Sequence, residues 1–143
     1  MSNQKFGLAD ITNSIFSSLS VPETIDSLSL GGAENREVLI LIDGMGHDAV
    51  EKYGDQFPIF DELKLVKKLY TNFPSTTATS LSTLGTGVLP GVHGMLGYTV
   101  RVPRSDNRLL NALKWDERVD PVMWQKVPTL FERAVTSGVS VTH

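Results

Sequence analysis

The chain of 143 residues contains no cysteine. That excludes disulfides and thiolate metal ligands, so any bound metal must be held by Asp, Glu, His or hydroxyl oxygen. The absence is compatible with a reducing compartment. Histidine is scarce as well: His47, His93 and His143 are scattered and form no ligand motif of the H-E-x-x-H kind. No charge of one sign prevails. Thirteen Lys and Arg face sixteen Asp and Glu, a formal net charge of −3, so there is no basic field to draw nucleic acid or an anionic membrane. Trp115 and Trp124, in an acidic chain without a basic field, read as packing residues and not as stacking platforms for bases. No apolar run approaches the length of a membrane span. The N-terminus has one Lys and no apolar run of signal-peptide length. The expected location is therefore cytoplasmic, with no membrane partner. What remains is an ordinary globular mix, 41 % hydrophobic and 20 % charged, at the length of one domain.

Taken in order, residues 1–7 read as a loose tail. Leu8, Ile11, Ile15 and Leu19 then follow helical spacing and predict an amphipathic helix over the core. Residues 20–35, with Pro22 and Gly31-Gly32, read as a linker. The continuous run Val38-Leu39-Ile40-Leu41-Ile42 predicts a central strand of a parallel sheet, buried on both faces. A short helix over 47–53 stops at Gly54, and residues 65–70 alternate weakly as a second strand. Pro74 disfavours helix at Phe73, and Leu81, Leu84 and Val88 resume helical spacing. Pro90-Gly91 marks a turn. Residues 95–102 and 109–115 read as the strands of a hairpin, and Asp120-Pro121 as a turn. A helix opens after Val127-Pro128-Thr129 and runs through Thr136 to a stop at Gly138; residues 139–143 read as a further strand. A domain seldom finishes inside a core strand, where backbone groups would be left unpaired. The expectation is the N-terminal portion of a longer α/β protein, divided into an N-terminal helix and linker (1–36) and the start of a catalytic domain (37–143).

Two positions carry chemistry. Asp43 is the first polar residue after the apolar run, and in open α/β sheets functional groups gather beyond the carboxyl ends of strands. A carboxylate there suits a divalent cation; it equally suits a helix or turn cap. The second is Phe73-Pro74-Ser75-Thr76-Thr77-Ala78-Thr79-Ser80, a hydroxyl-rich turn opening a helix, where unpartnered N–H groups and the helix dipole favour an anion such as phosphate. Most of these hydroxyls serve as caps. A Thr hydroxyl becomes a nucleophile only where a base or a metal takes its proton. A competing reading takes Gly44-Met45-Gly46 with Ala49 as a dinucleotide-binding turn, although Asp43 would set negative charge beside a pyrophosphate.

Asp43-Gly44, Phe73-Pro74-Ser75-Thr76-Thr77 and Thr86-Gly87-Val88-Leu89-Pro90-Gly91-Val92-His93-Gly94 together resemble the N-terminal signatures of the nucleotide pyrophosphatase/phosphodiesterase branch of the alkaline phosphatase superfamily. The resemblance implies an alkaline-phosphatase-like α/β fold, a mostly parallel sheet flanked by helices. It implies that Asp43 is a metal ligand, that Thr77 is both nucleophile and metal ligand, and that the cofactors are two divalent ions, zinc, about 4 Å apart. The implied substrate is a small phosphodiester or nucleotide. Family members carry an Asn shortly after the His-Gly pair; here Tyr98 stands at that position, a candidate to bind substrate through its hydroxyl. His93 reads as a structural hydrogen-bonding residue. The family's remaining ligands lie far toward the C-terminus, so this chain is expected to carry part of the site and to be inactive alone. The alternatives are a phosphomutase of the same superfamily and a non-catalytic module, either a dinucleotide binder or a piece whose core another chain completes.

Overall fold

The computed structural model describes residues 5–31 and 36–142. Part of the expected tail (residues 1–4), part of the expected linker (32–35) and His143 of the expected last strand lie outside them. Helix α1 spans Leu8–Ser18, α2 His47–Tyr53, α3 Thr77–Thr86, α4 Pro90–His93, α5 Pro121–Trp124 and α6 Leu130–Thr136. Two 3₁₀ turns, Gly54–Gln56 and Pro58–Glu62, follow α2. Strands β1 (Thr99–Arg101) and β2 (Leu109–Asn111) pair antiparallel with Val100 opposite Leu110.

The core forms where α1, α3 and α6 meet. Phe16, Val21, Leu130 and Ala134 are buried together, with Leu19, Val139 and Val141 packed against them. The Phe16 and Phe131 rings meet edge to face, centroids 5.5 Å apart. Helix α6 starts by a reciprocal cap: Thr129 Oγ1 accepts from the Glu132 N–H (3.1 Å) while Glu132 accepts from the Thr129 N–H (2.6 Å). Gly138 follows with φ +85°, a left-handed stop that suits glycine.

Helix α1 forms where its spacing predicts, but its most buried positions are Thr12, Ser14, Phe16 and Ser18, while Leu8, Ile11, Ile15 and Leu19 are half-buried. The helix is covered on more than one side, and its small hydroxyls are satisfied there. Thr12 and Ser18 bond back to Ala9 and Ile15 carbonyls, and Ser14 accepts from the Leu28 N–H at 3.2 Å.

The sheet departs from expectation. Among the described residues it has two antiparallel strands and is not mostly parallel. Val38 to Ile42 enters no ladder and is open to solvent, Val38 at 82 % and Ile40 at 78 %. Residues 65–70 pair only through a parallel bridge from Tyr70 to Gly7, and residues 139–142 enter no ladder. An apolar run states a demand for cover; pairing also needs a neighbour in register. Two turns also prove helical. Pro90 and Pro121 each occupy the first turn of a short helix, where the missing N–H costs nothing.

Candidate active site

The hydroxyl-rich turn resolves into distinct roles. Thr76, with extended backbone (φ −77°, ψ 149°), caps α3, and its side chain accepts from the Thr79 N–H. Thr77 is the first helical residue, so its hydroxyl is not the cap. That hydroxyl donates to Asp43 Oδ2 at 3.1 Å, across 34 positions of sequence. Asp43, in turn, does not cap α2, whose cap position is Gly46. Gly44 has φ +76° with open space where a Cβ would project, so the chain can turn sharply beside the carboxylate.

Asp43 and Thr77 line one cleft of about 530 Å³. One wall is the stretch 41–47, the other is the Leu81 and Leu84 face of α3, and Lys67 and Lys68 contribute cations. Lys68 Nζ lies 3.4 Å from Asp48, and Lys67 Nζ lies 5.3 Å from the centre of the Phe6 ring. Sequence reasoning did not single out these lysines. They lie within a weakly alternating run, and nothing local says which way that run faces. His47 also lines the cleft, with Nε2 4.0 Å from Glu51. Tyr98 does not: it is half-buried before β1, its backbone carbonyl accepts from the Ala112 N–H at 2.7 Å, and it is absent from the cleft wall.

His93 is buried, 2 % exposed, just beyond α3. Its Nδ1 accepts from the Met95 N–H at 3.0 Å, which leaves the proton on Nε2 to be donated to Thr83 Oγ1, also at 3.0 Å. Burial holds the imidazole below its ordinary value of 6.5. Thr83 Oγ1 also accepts from Asn72 Nδ2 (2.6 Å) and donates to the Thr79 carbonyl (3.0 Å). This network fastens the residue before Phe73-Pro74 to the second turn of α3.

The Gly44-Met45-Gly46 turn does open a helix, but it leaves an unladdered segment, and Asp43 faces Thr77 beside it. The strand context of a dinucleotide-binding turn is missing. For a metal the donor set is partial. Asp43 and Thr77 offer a carboxylate and a hydroxyl at one point, against the four donors zinc takes. Among the described residues no group of three or more His, Cys, Asp or Glu could hold an ion. As described, these residues do not complete a metal site.

The family model of type I phosphodiesterase / nucleotide pyrophosphatase matches residues 37–143, which include Asp43, Thr77 and His93. No curated protein and no solved structure matches the chain. The family comprises hydrolases of phosphodiester and nucleotide pyrophosphate bonds and is generally metal-dependent. With well over half its length matched, and with the matched region spanning both sides of the cleft, the chain belongs to the type I phosphodiesterase/nucleotide pyrophosphatase family.

Proposed function

We propose that this chain supplies the nucleophile side of a phosphodiesterase or nucleotide pyrophosphatase site, with Thr77 as nucleophile. The observation that carries the reading is the 3.1 Å hydrogen bond from the Thr77 hydroxyl to Asp43, inside the family-matching region. Thr77 Oγ1 attacks phosphorus and its proton passes to the Asp43 carboxylate that accepts its hydrogen bond, while the bond from phosphorus to the leaving oxygen breaks and that oxygen departs with the electron pair and takes a proton from water. The product is a covalent phospho-threonine-type intermediate, which water then hydrolyses. The first-turn N–H groups of α3 face negative charge favourably and would steady the phosphoryl oxygens. Asp43 and Thr77 would furnish two of the donors for a pair of divalent cations, zinc in this proposal, with the other donors outside the described residues. Bound there, such ions would favour the deprotonated hydroxyl and neutralise charge on the leaving oxygen.

The alkaline-phosphatase-like sheet is part of the same proposal. Exposed apolar side chains at Val38 to Ile42, and at Leu65 and Val66, support strands that pair once their faces are covered. Tyr98 is proposed to reach substrate only in that assembled form.

The experiment uses the full-length protein and a nitrophenyl phosphodiester. Thr77→Ala should lower kcat at least about 10³-fold with unchanged far-UV circular dichroism, as loss of a nucleophile does. Wild-type activity in Thr77→Ala overturns the proposal. Asp43→Asn should reduce bound metal measured by mass spectrometry. Preference for a monoester over the diester would favour the mutase-like alternative.

A further inference from the structure

Residues 5–31 lie ahead of the family-matching region, yet they touch the C-terminal stop of α3, the cleft wall and the segment that runs toward the start of α3. At the C-terminal end of α3, Asn13 Nδ2 donates to the Gly87 carbonyl at 2.6 Å and to the Ala9 carbonyl at 2.9 Å, using both of its N–H groups. The two acceptors also settle which end of the amide points there. Gly87 has φ +70°, and a Cβ built on it would stand 2.8 Å from both Asn13 Nδ2 and Leu130 Cδ1. The left-handed stop of α3 is therefore shaped to receive Asn13. Ahead of α3, the Tyr70 N–H donates to the Phe6 carbonyl at 2.9 Å, and Gly7 and Tyr70 form a parallel bridge. From Tyr70 the chain runs through Asn72, which bonds to Thr83 of α3, to the turn that carries Thr77. Leu8 completes the contact by lining the same cleft as Asp43 and Thr77.

We infer that residues 5–31, ahead of the family-matching region, are part of the catalytic body: they brace the C-terminal stop of α3 and the segment that leads toward its start, and Asn13 is a positioning residue for Thr77. A brace of this kind acts on orientation. Its loss should lower kcat while leaving ground-state binding nearly unchanged, because misplacing reacting groups by a fraction of an ångström slows the chemical step. Asn13 bonds to Ala9 and Gly87, not to Asp43 or Thr77; its effect travels along the ten-residue helix from Gly87 back to Thr77.

The test is made on the full-length protein. Asn13→Asp keeps the size but removes both donors and sets carboxylate oxygens against two carbonyls. Asn13→Ala removes the donors without adding charge, should the first variant not fold. Either should lower kcat for the diester roughly tenfold or more, with KM nearly unchanged. Amide exchange along α3, read at the Gly87 N–H that bonds to Thr83, should speed up about tenfold, as expected for one lost hydrogen bond. Exchange in the β1–β2 hairpin should stay as it was. Asn13→Gln should restore part of both. Unchanged exchange at α3, or equal acceleration in the hairpin, overturns the inference. The kinetic arm rests on the function proposed above, and the exchange arm does not. If Thr77→Ala retains activity, that function fails while the exchange result still decides the brace.

Discussion

Among the described residues, Thr83 makes more side-chain hydrogen bonds than any other hydroxyl, and Thr83→Val tests whether its hydrogen bonds or its shape matter. The side chain is completely buried. Its oxygen accepts from His93 Nε2 (3.0 Å) and Asn72 Nδ2 (2.6 Å) and donates to the Thr79 carbonyl (3.0 Å), which exhausts a hydroxyl's capacity. Valine has the same outline and nearly the same helix propensity, so neither a cavity nor a backbone effect follows. The His93 N–H is left buried without an acceptor, at about 1–3 kcal/mol. Asn72 is half-buried and can turn its amide toward water, adding at most about 1 kcal/mol. Burying a methyl in place of the hydroxyl returns about 0.8 kcal/mol. The expected loss is about 2 kcal/mol, or about 4–8 °C in Tm for a chain of this size. Thr83→Ser keeps all three hydrogen bonds and gives up one methyl, about 1 kcal/mol. Urea denaturation of the three proteins should rank wild type above Ser above Val. A valine variant as stable as the serine variant would refute the hydrogen-bond argument and assign Thr83 to packing. Nitrogen-15 shifts of the imidazole give an independent check: the wild type should show the Nε2–H tautomer of His93.

Three further outcomes follow from the same geometry. Gly87→Ala combines a left-handed φ of +70° with two 2.8 Å approaches and should cost about 2–4 kcal/mol, whereas Gly85→Ala, inside α3 with open space around its Cβ, should gain about 0.5–1 kcal/mol; thermal melts of both that agree within error would refute the reasoning. His93 is held below its ordinary 6.5, so between that value and its lower folded value the unfolded chain binds the proton and the folded chain does not; its contribution to stability is complete above 6.5 and declines as pH falls below it. His93→Gln should flatten this decline in denaturant midpoints measured from pH 7.5 down to about 5.5, and an unchanged decline would place its origin elsewhere. Thr129→Ala removes the cap of α6 and should lower stability by about 1 kcal/mol, with the loss relieved by Thr129→Ser; equal stability of the two variants would count against the cap.

The longer helices were readable because their signals are local, whereas the four-residue α4 and α5 read as turns. Periodicity marked α1 and α3, Val127-Pro128-Thr129 and Gly138 bracketed α6, and the strand readings at residues 95–102 and 109–115 located the hairpin that closes between Thr99 and Asn111. Placing Thr77 at the start of α3 was equally a matter of short range, since Pro74 and the hydroxyl run determine where the helix begins. Its proposed role came from resemblance to a family and not from spacing. The apolar run Val38 to Ile42 enters no ladder among the described residues for the converse reason: composition records that a segment prefers cover but not what will provide it.

By itself, then, the amino-acid order determined α1, α2, α3 and α6, the hairpin and the positions at which an acid and an alcohol could serve. Only the tertiary structure decided that Asp43 meets Thr77 across 34 positions and that Asn13 reaches Gly87 across 74. It also decided which imidazole nitrogen of His93 holds the proton and which lysines face the cleft. The division has a physical origin. Caps and turns are satisfied by neighbours within a few residues, whereas these contacts depend on how whole elements pack, and no pattern confined to a short window encodes that.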